Sequence, residues 1–290
     1  MSATVLSAKP LLKERYEQLA VQVQKLVQKP ILSVIVLGDE PASRFYVQNV
    51  EKQGTKTGII VQVHRLPIET TQTDLLQLIK RMNLDPGVNG IMLQKPFPSH
   101  IDEDEIVMAI EPSKDVDGFH PINLGNIMLE KDGLVPCTPA AVLEMMDFYG
   151  IHPHGKHVVI IGRSNIVGKP LANLLLQKKE IGNATVTVCH SQTRNMTEIT
   201  RQADILIVAI GKPEFVTGDM LKYGSIVLDV GINEVLDHEG KPHYVGDVDY
   251  NSCVEIASAI TPVPGGVGSV TTYRLLRNTF QAKESQEKTK

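Results

Sequence analysis

Only three cysteines, Cys137, Cys189 and Cys253, occur in 290 residues, far apart and with no CxxC pair. An odd, widely spaced set excludes a disulfide framework and a structural zinc site, so no metal is expected. Concentrated positive charge is missing too. Twenty-nine Lys and Arg stand against 33 Asp and Glu, a net charge of −4, and no basic run is longer than a pair such as Lys178-Lys179. That balance excludes a nucleic-acid partner. No window reaches about 18 apolar residues, so no membrane partner is expected. The first ten residues carry no charged segment leading into an apolar stretch, as a secretory leader would. With so few cysteines, these absences point to the cytoplasm. Internal repeats and low-complexity segments are also lacking.

What is present is an ordinary globular balance, 42% hydrophobic and 21% charged, in a chain long enough for two domains. Apolar runs of strand length alternate with segments of helical period, the α/β pattern. In the first half, strands are expected at 31–37, 59–66 and 88–93, with helices near 11–28, 43–57 and 73–83. Leu12, Tyr16, Leu19, Val23 and Leu26 recur at steps of three and four, as one buried helix face requires. The run Asp102-Glu-Asp-Glu reads as a solvated helix start, where acids suit the positive end of the dipole. After a helix at 139–149 and a hinge near 150–155, further strands are expected at 157–161, 185–189, 205–210 and 226–230. A last helix at 271–282 has no sheet partner after it and is read as packing back on the first domain. The tail from Lys283 onward is polar and expected to fray.

The most informative local pattern is His157-Val-Val-Ile-Ile-Gly162-Arg-Ser-Asn-Ile-Val-Gly168-Lys-Pro170. An apolar strand runs into a glycine turn and then an amphipathic helix, the arrangement that presents backbone N–H groups to a pyrophosphate. The spacing is one residue longer than G-x-G-x-x-G, with Ser164 at the second glycine's place, so an ordinary strand–helix turn fits as well. Dinucleotide enzymes that use NAD carry an acid at the end of the second strand, about 20 residues on. Here that place reads His190-Ser191-Gln192-Thr193, with no acid. A hydroxyl beside Arg163 accepts a 2′-phosphate, which favours NADP; the competing reading leaves Arg163 as a surface arginine.

Lys114-Asp-Val-Asp117-Gly-Phe, Pro136-Cys-Thr-Pro139, Asp229-Val-Gly-Ile-Asn233 and Thr261-Pro-Val-Pro-Gly-Gly-Val-Gly268 stand in order around that loop. Together these blocks resemble the FolD family of methylenetetrahydrofolate dehydrogenases/cyclohydrolases, over about residues 6–280. The resemblance implies an N-terminal α/β catalytic domain and a C-terminal Rossmann-like NADP-binding domain with a cleft between them. It sets the boundaries at 1–138 plus 271–290 for folate and 139–270 for NADP, in a homodimer. The implied reactions are oxidation of 5,10-methylenetetrahydrofolate by NADP and hydration of the methenyl product to 10-formyltetrahydrofolate. Tyr46, Gln94 and Asp117 match the family's catalytic and substrate residues, joined by Pro96, Pro264, Gly265 and Gly266 on the substrate side. Gly162, Arg163, Ser164, Ile166, Ser191 and Ile232 match its cofactor contacts. From the residues alone, Asp117 in Asp-x-Asp-Gly is more often a turn former, and Tyr46 more often a core or rim residue.

The sequence departs from the family on segments that line its cleft. The family's helix carries Tyr-x-x-x-Lys, with the lysine one turn below the tyrosine and credited with proton handling in the hydrolytic step. Here Tyr46 is followed by Val50, and valine neither gives nor takes a proton. Lys52 lies on the opposite helix face. The family's Q-L-P-[LV]-P loop reads Gln94-Lys95-Pro96-Phe97-Pro98, and G-P-M-T reads Gly268-Ser269-Val270-Thr271. Lys95 is either a relocated catalytic amine or a solvated surface lysine. Three functions are therefore weighed: a dehydrogenase with weakened cyclohydrolase activity, a paralogous oxidoreductase acting on another imine-type substrate, and a silent folate- or NADP-binding protein.

Overall fold

The computed structural model describes residues 2–237 and 239–288. The chain divides into two compact units, residues 13–137 with 272–290 and residues 1–12 with 138–271. Positions 1, 238, 289 and 290 of the expected domain ranges lie outside the described residues.

The first unit holds a three-stranded parallel sheet in the order Ile60–Leu66, Ile31–Leu37, Gly90–Leu93. The central strand, Ile31–Leu37, is buried almost throughout, as its unbroken apolar run requires of a strand covered on both faces. Helices Pro41–Thr57, Gln72–Leu84 and Glu103–Ala109 accompany it. Asp102 caps the last of these by accepting the Glu105 N–H at 3.1 Å, so the acidic run does open a helix. Ile35, Leu75, Ile79, Ile91 and Ile106 form part of its core.

The C-terminal helix extends from Val267 to Lys288, six residues past its expected end. The tail does not fray at Lys283. Gln286 Nε2 donates to the backbone oxygens of Asn89 at 3.0 Å and Ser113 at 3.1 Å, and Lys283 pairs with Glu287 one turn on. Polar side chains that find backbone acceptors prolong a helix that composition alone would end.

The second unit is a six-stranded sheet with parallel pairing throughout: Thr4–Val5, Ala259–Ile260, Ile226–Asp229, Ile205–Val208, His157–Ile161, Thr185–Cys189. Residues 1–12, assigned by sequence to the first domain, fall here, because Thr4–Val5 pairs with Ala259–Ile260 at the sheet edge. Leaving that edge strand aside, the order by sequence is 2-1-3-4-5, a doubly wound arrangement. The chain leaves His157–Ile161 to one side and returns on the other, which creates a switch point between that strand and Ile205–Val208. A two-stranded antiparallel hairpin, Asn233–Leu236 with Pro242–Val245, stands outside this sheet.

Candidate active site

In the second unit, the strand His157–Ile161 runs into Gly162, whose φ is +134°. A Cβ on Gly162 would lie 2.2 Å from the Ala209 carbonyl oxygen, and one on Gly168 would lie 2.1 Å from the Gly162 carbonyl oxygen. Both approaches require glycine. Ser164 Oγ accepts the Val167 N–H at 3.1 Å and shapes the turn into the helix Gly168–Leu176.

Gly162, Arg163 and Ser164 line a cavity of about 250 Å3 with His190 and Ser191, which follow the strand Thr185–Cys189. Ala209, Ile210 and Lys212, beyond Ile205–Val208, complete the polar wall, and Met196 and Phe215 add apolar surface. The cavity therefore sits at the carboxyl ends of three strands beside the switch point, where doubly wound sheets bind nucleotides. Its lining contains two cations, Arg163 and Lys212, and no carboxylate. Ser164 and Ser191 line the cavity as well. Such a lining accepts phosphate and suits a phosphorylated dinucleotide.

Ile166 and Ile232 do not line this cavity. Ile166 is exposed. Ile232 lines a second cavity of about 230 Å3 with Tyr244, Pro264, Gly265, Gly266 and Ser269. A Cβ on Gly268 would lie 2.4 Å from Ile232 Cδ1, so the third glycine of the Gly-Gly-Val-Gly run makes room for that side chain.

Two buried carboxylates organise the loops around these cavities. Asp247 is 0% exposed and accepts the N–H groups of Ile210, Gly211 and Lys212 at 2.7, 3.0 and 2.8 Å, and Asn233 Nδ2 at 2.9 Å. Asp229 accepts the N–H groups of Gly231, Asp247 and Val248. Burial pushes the Asp229 carboxyl up to about 7 and the Asp247 charge adds to that, against the pull of its three N–H donors. Sequence reasoning used Asp229 only as part of a motif and missed Asp247, His190, Lys212 and Tyr244. The available signal for Lys212 was a Gly-Lys-Pro turn directly after a strand.

In the first unit, Tyr46 is half-buried on the helix Pro41–Thr57, and Val50, one turn further, is 0% exposed. Lys52 is exposed. Gln94 follows the strand Gly90–Leu93. Its Nε2 donates to the Lys95 carbonyl oxygen at 2.7 Å and reaches Ser43 Oγ, in the first turn of the tyrosine's helix, at 3.4 Å. Gln94 Oε1 is buried and accepts nothing from the described residues.

Asp115 takes the turn-forming role in the Asp-x-Asp pair, accepting N–H groups from Gly118 and His120 and the Asn123 amide. That leaves Asp117 for other work. Burial pushes its carboxyl up to about 7 and Asp115 adds to the rise, while the Leu93 N–H and the charge of Lys95 pull it down. Gly118 has φ +77°, and a Cβ there would lie 2.5 Å from the Pro136 nitrogen, so two of the sequence blocks meet at that glycine. Lys95 pairs with Glu103, and its ammonium lies 4.7 Å from the centre of the Phe119 ring. Pro96 is exposed. Among the described residues, no group of three or more His, Cys, Asp or Glu is placed to hold a metal ion, and no helix is long and apolar enough to cross a membrane.

Residues 6–117 match the tetrahydrofolate dehydrogenase/cyclohydrolase catalytic domain, and residues 136–287 match the NAD(P)-binding domain of the same family. The chain is 52% identical over 273 residues to the bifunctional protein FolD of Prosthecochloris aestuarii, covering 91% of this chain and 92% of that one. Among solved structures, the bifunctional FolD methylenetetrahydrofolate dehydrogenase/cyclohydrolase of Campylobacter jejuni superposes with a TM-score of 0.92 at 44% identity, covering 98% and 99% of the two chains. The Trypanosoma brucei FolD, complexed with NADP cofactor and inhibitor, gives 0.90 at 35% identity, covering 98% of each.

Proposed function

The chain belongs to the tetrahydrofolate dehydrogenase/cyclohydrolase family, and on that premise we propose that it is a dehydrogenase whose cyclohydrolase step is weakened at Val50. Its main reaction is the NADP-dependent oxidation of 5,10-methylenetetrahydrofolate to the methenyl form. Bound NADP supplies the hydride acceptor. Gly162, Arg163, Ser164 and Ser191 would hold its phosphates and ribose, and Ile232 would border the nicotinamide end.

The two reactions make different demands on the chain. Oxidation removes a hydride from the methylene carbon and leaves the methenyl cation, with no proton gained or lost by the folate. Tyr46, Gln94, Asp117, Pro264, Gly265 and Gly266 need only bind and orient the substrate, an effect that survives without a titrating side chain. Hydrolysis adds water to the methenyl carbon, releases a proton and breaks a carbon–nitrogen bond whose nitrogen must be protonated. Those transfers need an acid/base within reach, worth roughly 10²–10⁴-fold in rate. Val50 supplies none, and Gln94, with its buried Oε1 lacking a partner, offers only an amide. Lys95 is held between Glu103 and Phe119, which argues for an electrostatic role beside Asp117 over proton transfer.

The carrying observation is the fully buried Val50 one turn beyond Tyr46. The test follows NADPH and the methenyl product together from methylenetetrahydrofolate. Methenyl product is expected to accumulate in step with NADPH, and Val50→Lys is expected to draw it down. If the unaltered enzyme hydrolyses the methenyl product as fast as it forms, the reading fails.

The outer edge of the strand Thr185–Cys189 has no sheet neighbour among the described residues, which supports pairing with a second copy as a homodimer. Light scattering at twice the chain mass is the expected result. All three cysteines are free and buried, which suits the cytoplasm; fractionation of the source cells tests that.

A further inference from the structure

The nucleotide cavity carries a second cation from a loop that the sequence motif does not include. Lys212 follows the strand Ile205–Val208, and its ammonium lies 5.6 Å from the centre of the Phe215 ring. Phe215 is itself only partly covered, at 38% exposed. A lysine stem laid along an aromatic face keeps its charged end in a restricted region instead of sweeping through solvent. Arg163 and Ser191 line the same cavity. Neither Lys212 nor Arg163 has an ion-pair partner among the described residues, and no carboxylate lines the cavity. Two cations and a serine lining one cavity form a positively charged site suited to a dianionic phosphate.

The placement of Lys212 has an identifiable cause. Three successive N–H groups, of Ile210, Gly211 and Lys212, converge on the Asp247 carboxylate. That carboxylate has no slack on its other side, where a Cβ on Gly231 would lie 2.2 Å from its Cγ. The turn that carries Lys212 is thus fixed by a buried anion and is not a free surface loop. Asp247 also holds Asn233, next to Ile232 of the second cavity, so one side chain sets both loops.

We propose that Lys212 is a second cation of the site for the cofactor's 2′-phosphate, with Asp247 as its positioning residue. Preference for NADP over NAD then comes from two loops, the Gly162 turn and the Ala209–Lys212 turn. The assignment rests on NADP being the cofactor. The 2′ position is favoured over the pyrophosphate because His190 and Ser191, at the end of the second strand, share the cavity with Lys212, and that strand end is where the ribose 2′ group lies in doubly wound folds.

The test compares Lys212→Gln with the unaltered enzyme in binding two cofactor fragments, 2′,5′-ADP and 5′-AMP, by calorimetry at low and moderate salt. Glutamine keeps the stem over Phe215 and removes the charge. Binding of 2′,5′-ADP is expected to weaken roughly tenfold and that of 5′-AMP less than twofold, as for loss of one charge-assisted phosphate contact. The difference should shrink as salt rises. Steady-state kinetics should repeat the pattern, with KM rising for NADP and not for NAD. Equal weakening of both fragments would assign Lys212 to the 5′-phosphate and overturn the proposal, as would no change in either. If the unaltered enzyme fails to distinguish the fragments, the NADP reading itself fails; discrimination retained in Lys212→Gln sinks only the role of Lys212. Asp247→Asn should lower the NADP/NAD ratio and add nothing to it in the Lys212→Gln background. A merely structural Asp247 would shift stability while leaving that ratio alone.

Discussion

The carboxyl of Asp117 accepts the Leu93 N–H, lies beside Asp115, and is pushed up to about 7 by burial first and that neighbour second. A pterin presents paired N–H donors, which the ionised carboxylate meets with two charged acceptors and the protonated acid with one neutral acceptor. Substrate affinity should therefore improve as pH rises through neutrality. KM for methylenetetrahydrofolate is expected to fall several-fold between about pH 6 and pH 8, and Asp117→Asn should give a weak, flat profile. Lys95 supplies a positive charge that draws this carboxyl down. Lys95→Ala should accordingly move the inflection to higher pH, read from the same KM profile. An unmoved inflection would mean that Glu103 already neutralises the lysine. At this scale the sequence showed which residue types were available and left their division of labour open. Asp115 and Asp117 look alike in Lys-Asp-Val-Asp-Gly, and only the fold shows that the first holds the turn through Gly118 and His120 while the second accepts the Leu93 N–H.

Elements with strong local signals were legible. Ile31–Leu37, His157–Ile161 and Thr185–Cys189 occur where unbroken apolar or β-branched runs put them, and the other expected strands differ by two residues at most. The hairpin Asn233–Leu236 with Pro242–Val245 was not legible. Both of its strands lie largely in solvent, so neither has the apolar alternation that marks a half-buried strand. The two-residue strand at Thr4 exists only through pairing with Ala259–Ile260 across more than 250 residues of chain, and Ala259–Ile260 is itself held between that strand and Ile226–Asp229; neither has a local pattern to read. The C-terminal helix was cut short for the converse reason: its last turns are held by distant backbone oxygens and not by an apolar stripe. Gln286→Ala removes two such donations and strands the amide of Asn89. A loss of about 1–2 kcal/mol is expected in denaturant unfolding; no loss would return the tail to a frayed state.

Over the whole molecule, two raised carboxyls link stability to pH. An unfolded aspartate titrates near about 3.9, whereas Asp117 and Asp229 in the folded chain are each pushed up to about 7. Between those values the native state holds protons that the unfolded chain has released. Stability should therefore fall as pH rises from about 4 to about 7 and level off above that. Thermal midpoints measured across that range check the sign, and Asp117→Asn should remove part of the fall. A midpoint that rises steadily from pH 5 to pH 8 would show that these two groups do not dominate. The sequence by itself determined the α/β class, most of the strands, the family and the glycine turn at Gly162, because each is written in residues that are neighbours along the chain. The tertiary structure decided which residues meet: the strand order that creates the switch point, the edge strand drawn from the N-terminus, and Asp247 gathering three loop N–H groups behind Lys212. Those are long-range juxtapositions, set when distant strands pair and their connecting loops converge, and no local pattern of residues encodes them.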